Sequence, residues 1–291
     1  MRDTAQFFLY LFACLLLAAL LTWPLMQTGW LDHDPRRVMS RLAQVFMVIG
    51  LWPLLKAMGV ANWHTLGYDR TRPEFLRAVG LGWLIGVFIL SALAVALVTL
   101  EVRVPHLKPA GVVASKAASA LIGGLLVAIL EETFFRGALY AAVSRRSGAG
   151  SAIFWTALLY ALLHFMKPRS LPDGIAYDWA GNWSIFLSTF TSPWQWNNLD
   201  SFVALVLVGV FLGLVRRRSA HIGWCIGLHA GWIFVIQVTR SVTDGNDAAA
   251  LAYLTGDYDG VIGWLAAGWI GILAMGLARL PRRNIYQHPP A

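Results

Sequence analysis

The sequence contains little charge for its length. Only 13% of its 291 residues are Asp, Glu, Lys or Arg, whereas a soluble domain usually carries about 25%. Hydrophobic residues make up 58% of the chain, and the mean hydropathy is +0.61. This number of charged residues is too small to cover the surface of a globular protein of this size. The composition therefore excludes a soluble protein and indicates a membrane protein. Because the sequence also lacks a long polar stretch, we expect a single membrane domain over residues 1–291.

Cysteine is scarce as well. The two cysteines, Cys14 and Cys225, lie in apolar runs and form no CxxC pair, which excludes a disulfide framework. The zinc-protease pattern HExxH is absent. The net charge of +8 comes mostly from basic residues in short loops beside apolar runs, where they set topology and meet lipid headgroups. Since no nucleic-acid-binding motif accompanies them, we expect no nucleic-acid partner.

Apolar runs recur along the chain at about the length that crosses a bilayer as a helix. We predict an all-α, polytopic transmembrane helix bundle with about eight spanning helices. The predicted spans are residues 5–26, 38–58, 76–100, 113–143, 151–166, 201–215, 219–240 and 260–279. The first has no small-residue cleavage site, so we expect it to be retained. Basic residues favour one set of alternate loops, which predicts both termini in the cytoplasm of a plasma (inner) membrane.

Two long loops lie on the predicted outer side. Residues 167–200 are rich in tryptophan, which favours the headgroup level, and Trp183–Phe190 is too short to span. We interpret this segment as an interfacial loop, with a lid over the site as the alternative. Residues 241–258 carry three aspartates without the EF-hand spacing, so we expect a solvated loop.

Ionisable groups inside the predicted spans are the most informative residues, because they are costly in hydrocarbon and need a reason. They concentrate in the fourth, fifth and seventh spans. These groups are Glu131, Glu132 and Arg136 in the fourth span, Tyr160 and His164 in the fifth, and His229 in the seventh.

Depth relates three of these groups. Glu131 and His164 each lie 13 residues from the short loop between their spans, and His229 lies 10 residues into a span that starts from the same face. At about 1.5 Å per residue these positions are roughly 20, 20 and 15 Å deep. We therefore expect the three side chains to reach nearly one level. Separate structural hydrogen bonds between helices are the alternative.

Helix angles predict different roles for the two glutamates. Glu132 and Arg136 are four residues apart and share a face, whereas Glu131 points about 100° away. Arg136 can neutralise Glu132 and leave Glu131 available as a general base or acid. Alternatively, both glutamates pair with Arg136 and only hold helices together. Gly137 is expected to let a neighbouring helix approach closely.

These residues resemble a known family, the CAAX-protease and bacteriocin-processing family of glutamic-type intramembrane proteases, which includes type II CAAX prenyl endopeptidases. Glu131-Glu132-x-x-x-Arg136 matches its EExxxR motif, and Tyr160-x-x-x-His164 matches FxxxH with tyrosine for phenylalanine. His229-x-x-x-Ile233 matches HxxxN only in its histidine. The likeness covers residues 130–235 approximately.

The resemblance implies an eight-helix bundle with a polar cavity and a catalytic core over about 113–240. It also implies that Glu131 and His164 activate water and that His229 helps to hold the oxyanion. Ile233 cannot donate a hydrogen bond, so part of that oxyanion site is missing or is supplied by Asn197, Asn198 or a backbone amide.

The leading functional hypothesis is an endopeptidase that hydrolyses a peptide bond of a membrane-associated or lipidated protein or peptide, at catalytic residues Glu131, His164 and His229. Glu132, Arg136 and Tyr160 support them. No cofactor is required, although Glu131, His164 and His229 are a candidate zinc site. Two alternatives remain: an inactive scaffold or regulator of the same fold, and a proton-coupled transporter.

Overall fold

The computed structural model describes residues 2–31, 33–172, 174, 175, 177–191 and 196–281. Most of this part of the chain is helical. The helices are α1 Arg2–Gln27, α2 Pro35–Ala57, α3 Trp63–Leu66, α4 Arg72–Thr99, α5 Ala110–Glu132, α6 Tyr140–Phe165, α7 Trp179–Thr191, α8 Leu199–Ser219, α9 Gly223–Val242 and α10 Trp264–Arg279. A π-helical turn, Thr133–Leu139, joins α5 to α6, and strands β1 Arg103–Pro105 and β2 Thr243–Gly245 form one antiparallel pair.

Membrane-spanning segments account for most of the described chain. Six helices are long and apolar enough to cross a bilayer, when Ala110–Phe165 is counted as one. That stretch reverses at Gly148, whose backbone is non-helical with φ +79°. The Glu131 carboxylate and the His164 imidazole lie 4.0 Å apart, whereas a straight helix would separate these residues by about 50 Å. With the shorter apolar helix α10, the segments match the eight predicted spans, and the predicted fold class is confirmed.

The loops group into the two sets that the sequence predicts. On one face, the Arg145 guanidinium donates to the Gly59 carbonyl at 3.2 Å, and Arg218 donates to the carbonyl of Pro281 at 3.2 Å. On the other face, the Ser170 hydroxyl donates to the Asp34 carboxylate at 3.3 Å. Each of these contacts joins two loops that the sequence assigns to the same face. Which face meets the cytoplasm stays a prediction.

Close packing of α4 against α9 fixes the helix that carries His229. Glycines on both helices allow this approach, as small residues do between membrane helices. A Cβ atom on Gly231 would lie 2.5 Å from the Trp83 carbonyl oxygen, and one on Gly86 would lie 2.5 Å from the Leu228 carbonyl oxygen. On either side of His229, the backbone of α9 therefore packs directly against the backbone of α4, with no side chain between them.

The π-helical turn directly follows the two glutamates. It buries Arg136 completely, and short helix α3 packs against it. A Cβ atom on Gly137 would lie 3.2 Å from the Leu66 carbonyl oxygen, so Gly137 permits the close approach that the sequence predicts. The Tyr68 and Thr133 hydroxyls bond at 2.6 Å and add a polar tie.

The segment 241–258 is more ordered than the predicted solvated loop. Buried Arg103 donates from Nε to the Thr243 hydroxyl and from Nη2 to its carbonyl, both at 2.6 Å. Its Nη1 donates to the Gly260 carbonyl at 2.6 Å. A single guanidinium thus ties β2 and the following segment to β1, while Asp244, Asp247 and Asp257 are exposed, as a solvated loop requires.

Most of the tryptophan-rich segment forms α7, which includes Trp183–Phe190. The Asn182 amide donates to the Ala19 carbonyl at 2.9 Å, and the Trp179 ring meets the Trp23 ring at 5.3 Å. Helix α7 therefore packs against α1. Its residues are absent from the lining of the glutamate cavity, so the structure does not support the lid alternative. Trp194 lies outside the described residues.

Candidate active site

A cavity of about 310 Å³ opens where α5, α6 and α9 meet beneath the loop that precedes α10. Its deep part is lined by apolar side chains of α8, α9 and α10. Its polar lining contains four residues that the sequence predicts to be near one another: Glu131, Tyr160, His164 and His229. The structure therefore brings the three candidate catalytic groups, from three helix segments, to a common space.

Glu132 lies behind this cavity in a buried ionic network. Its side chain and that of Arg136 are both 0% exposed, and Arg136 Nη1 donates to Glu132 Oε1 at 2.9 Å. The same carboxylate oxygen accepts from His229 Nδ1 at 2.8 Å. Arg136 also donates to the Gly209 carbonyl of α8 at 3.3 Å. Side chains or carbonyls from four elements thus meet at one ion pair. The pairing of Glu132 with Arg136 itself is the part that the helix spacing predicts.

Glu131 has different surroundings, although it is the adjacent residue. Its side chain is 30% exposed, and its Oε2 lies 3.8 Å from His229 Nε2 and 4.0 Å from His164 Nε2. Both separations exceed a direct hydrogen bond. Within the described residues, Oε2 has no hydrogen-bond partner. Among these residues, Glu131 Oε2 is thus a buried oxygen without a partner, whereas Glu132 is engaged through Oε1 and leaves only its Oε2 unpartnered.

Hydrogen bonds orient both imidazole rings. His164 Nδ1 donates to the Tyr160 carbonyl at 2.8 Å, so neutral His164 presents an unprotonated Nε2 to the cavity. His229 is held from behind by its Nδ1 bond to Glu132, and its Nε2 lies 3.4 Å from the Tyr160 hydroxyl. Both Nε2 atoms consequently face Glu131.

The candidate metal site does not have the expected ligand geometry. Zinc holds nitrogen and oxygen ligands at about 2.0–2.2 Å in a tetrahedron, which places neighbouring ligand atoms about 3.4 Å apart. The oxygen of Glu131 is 3.8 and 4.0 Å from the two Nε2 atoms. Across the described residues, the geometry supports no metal-binding group of three or more His, Cys, Asp or Glu side chains. These side chains fit zinc poorly, and we assign it no step.

The two asparagines that the sequence offered in place of the missing oxyanion donor do not line this cavity. Asn197 and Asn198 lie near the start of α8 and are absent from its lining. Ile233 lines it at the position where the motif has asparagine. Gln237 also lines it, one helical turn after Ile233 and two turns after His229. This i, i+4, i+8 spacing was the signal that could have identified Gln237.

The mouth of the cavity contains polar residues that the sequence analysis did not identify. Tyr258 and Asp259 come from the loop before α10, and Lys167 follows α6. The Lys167 ammonium lies 4.2 Å from the centre of the Tyr258 ring, and the Asp259 carboxylate accepts the Ile262 amide at 2.8 Å. Burial raises the pKa of the Asp259 carboxyl and lowers the pKa of the Lys167 ammonium. Loop residues of this kind show no periodicity that would place them at a site.

Comparison with known proteins identifies the segment that carries these residues. Residues 113–235 match the family model described as Type II CAAX prenyl endopeptidase Rce1-like. No curated protein and no solved structure matches the chain. The matched segment contains the two glutamates, both histidines of the site, Arg136 and Lys167, whereas Tyr258 and Asp259 lie beyond it.

Proposed function

We propose that the chain hydrolyses a peptide bond of a membrane-associated or lipidated peptide with a water activated by Glu131, because residues 113–235 match the model of the type II CAAX prenyl endopeptidase family. One observation carries the proposal. The free carboxylate oxygen of Glu131 lies within 4.0 Å of two imidazole Nε2 atoms in an open cavity. These distances, the hydrogen bonds of the two imidazoles and the apolar walls of the cavity support a reaction in which a bound water attacks the substrate.

The attacking water is placed by Glu131 and His164 in this proposal. Separations of 3.8–4.0 Å are too long for direct hydrogen bonds and suit two groups that share one water molecule. The water donates one hydrogen to Glu131 Oε2 and the other to His164 Nε2, which accepts because Nδ1 donates to the Tyr160 carbonyl. Its lone pair then faces the substrate carbonyl carbon.

His229 supplies the charge that stabilises the oxyanion. As an imidazolium it donates from Nδ1 to Glu132 and presents Nε2–H to the cavity. Its positive charge, with that of Arg136, balances the two carboxylates of Glu131 and Glu132. A buried cluster without net charge avoids the cost of an unpaired ion in the bilayer.

Proton transfer completes the reaction. As the water oxygen bonds to the carbonyl carbon, its proton moves to Glu131. When the tetrahedral intermediate collapses, the C–N bond breaks and Glu131 returns the proton to the leaving amine. One water is consumed, and the products are a carboxylic acid, which keeps the second water proton, and an amine.

The first test is cleavage by the purified full chain in vesicles. The probes are quenched fluorescent peptides with a prenylated cysteine, matched by the same peptides without the lipid. We expect Glu131→Ala and His164→Ala each to lower kcat by about 10²–10⁴-fold, the range of general base catalysis. Full activity in both variants would remove the proposal. Comparing the two probe sets shows whether the substrate must be prenylated.

Ile233 favours one alternative, an inactive scaffold of the same fold. This apolar side chain lines the cavity where an asparagine amide would donate to the oxyanion. If the chain is an enzyme, Ile233→Asn should raise kcat, with Ile236→Asn on the same cavity wall as the control. If wild type and Ile233→Asn both fail to cleave while loop variants abolish binding of a membrane partner, the scaffold is the better account.

A further inference from the structure

A second cavity of about 380 Å³ adjoins the glutamate cavity, and the two share Gln237 and Arg240. Lys108, Lys116 and Arg240 line the second cavity, together with Val112, Val113, Gln237 and Ser241. Its lining therefore carries three cationic side chains and no carboxylate. An anion that enters here meets attraction from several sides.

Among the described residues, no acid lies within ion-pair distance of these cations. Lys108, Lys116 and Arg240 make no ion pair or hydrogen bond there. Two acids of the neighbouring loops have other contacts: Asp244 pairs with His106 at 2.8 Å, and Asp259, which attracts Arg240 from beyond ion-pair distance, accepts two backbone amides. Lys116 lies in the second turn of α5, is half-buried, and sits at a membrane boundary where a cation needs a reason.

We propose that Arg240, Lys116 and Lys108 form an anion subsite in the second cavity. The subsite binds a carboxylate on the substrate segment that extends from the scissile bond into this cavity. This inference rests on the proposed function and names the charge that its substrate carries. The shared lining residues make the path from Glu131 to the subsite continuous. Arg240 adds a planar guanidinium, which binds carboxylates through two parallel hydrogen bonds.

The positive charge of the second cavity indicates which end of the peptide lies there. An N-terminal ammonium would be repelled by three cations, whereas a C-terminal carboxylate would be attracted. Arg240 follows His229 by eleven residues on α9, which is about 16 Å along the helix axis. An extended peptide covers about 3.4 Å per residue, so the carboxylate should lie roughly five residues beyond the scissile bond.

A matched peptide series tests the subsite. Full-length protein in neutral phosphatidylcholine vesicles would cleave quenched peptides that extend about three, five or eight residues beyond the scissile bond, each as a free acid and as a carboxamide. For the five-residue probe we expect the wild-type KM to be about tenfold lower for the acid, or about 1.4 kcal/mol. The preference should be smaller for the other lengths and should weaken with salt.

Variants assign the preference to the named residues. In Arg240→Gln/Lys116→Gln, the KM of the acid should rise to that of the amide, while kcat stays within about twofold. The control is Arg77→Gln, at an exposed position near the start of α4, and it should keep the wild-type ratio. An unchanged ratio in the double variant, or an equal loss for acid and amide, would overturn the subsite. Loss of anionic-lipid binding in the double variant, with no acid preference in the wild type, would also overturn it and assign the cations to a lipid phosphate.

A binding measurement separates this inference from the proposed function. The dissociation constants of the same acid and amide probes, with a prenylated cysteine, are measured with Glu131→Gln protein by fluorescence anisotropy. A tenfold ratio without cleavage by wild type would refute the endopeptidase and retain the subsite. Cleavage by wild type with equal binding of both probes would do the reverse.

Discussion

The two adjacent glutamates define two regions with opposite design. Around Glu132, a guanidinium and an imidazole make short bonds to one fully buried carboxylate. Around Glu131, the carboxylate is partly exposed, and the nearest imidazole nitrogens lie beyond direct hydrogen-bond range. One peptide bond separates the residues, so the difference comes from the direction in which each side chain leaves the helix.

The comparison shows how structural and chemical roles are divided inside a membrane. The region around Glu132 fixes the positions of α5, α8 and α9, because its bonds join all three. The region around Glu131 can then remain open, since its geometry does not have to hold the bundle together. His229 belongs to both regions, with Nδ1 facing one glutamate and Nε2 facing the other.

Removing the buried carboxylate should have the largest effect on stability. Glu132→Ala leaves the fully buried Arg136 guanidinium without its acid partner, which typically costs about 3–5 kcal/mol. Thermal unfolding in detergent measures the loss. The control is Glu74→Ala in the exposed first turn of α4, which should cost less than about 1 kcal/mol. A loss below 1 kcal/mol for Glu132→Ala would contradict the structural role.

Disturbing the glycine contact should have an intermediate effect. In Gly231→Ala the new methyl group would lie 2.5 Å from the Trp83 carbonyl oxygen, so α4 and α9 must move apart. We expect a loss of about 1–3 kcal/mol in unfolding free energy and weaker cleavage, because His229 moves with its helix. Gly80→Ala is the matched control, since its Cβ has nothing within 4 Å. Equal stability of the two variants would count against this packing.

Removing the tyrosine hydroxyl should have a smaller effect. Tyr160→Phe keeps the ring contacts with Phe135 at 5.2 Å and His164 at 4.3 Å and loses the 3.4 Å contact with His229 Nε2. A single hydrogen bond contributes about 0.5–1.5 kcal/mol, so kcat/KM should fall about two- to tenfold. A loss above roughly a hundredfold would give the hydroxyl a part in the chemistry.

Removing metal ions should have the smallest effect. The spacing of the Glu131 oxygen and the two Nε2 atoms is too wide for a tetrahedral zinc site, so we propose that cleavage needs no metal. Incubation with 1,10-phenanthroline, followed by dialysis, should leave kcat unchanged. Lost activity that returns on addition of zinc would instead assign Glu131, His164 and His229 as metal ligands.

The predictable part of the site follows from local helix geometry. The pairing of Glu132 with Arg136 depends only on a spacing of four residues, and the common depth of Glu131, His164 and His229 depends only on helix rise. Sequence periodicity contains no information on the rotation of α9 against α5. For that reason the bond between His229 and Glu132 was not predicted.

The unpredicted features depend on tertiary contacts. The π-helical turn replaces a predicted α-helix where α3 packs closely against Gly137. Tyr258 and Asp259 reach the cavity because Arg103 holds their loop from β1, more than a hundred residues earlier in the chain. A contact of that range leaves no local pattern in the sequence.

Isotope labelling tests the central claim, that Glu131 activates a water and does not itself attack the substrate. A single turnover with excess enzyme is run in water enriched in oxygen-18, and the product and the peptide containing Glu131 are analysed by mass spectrometry. The account predicts one heavy oxygen in the new product carboxylate and none in Glu131. Heavy oxygen in the Glu131 carboxylate, or an unlabelled product, would contradict it.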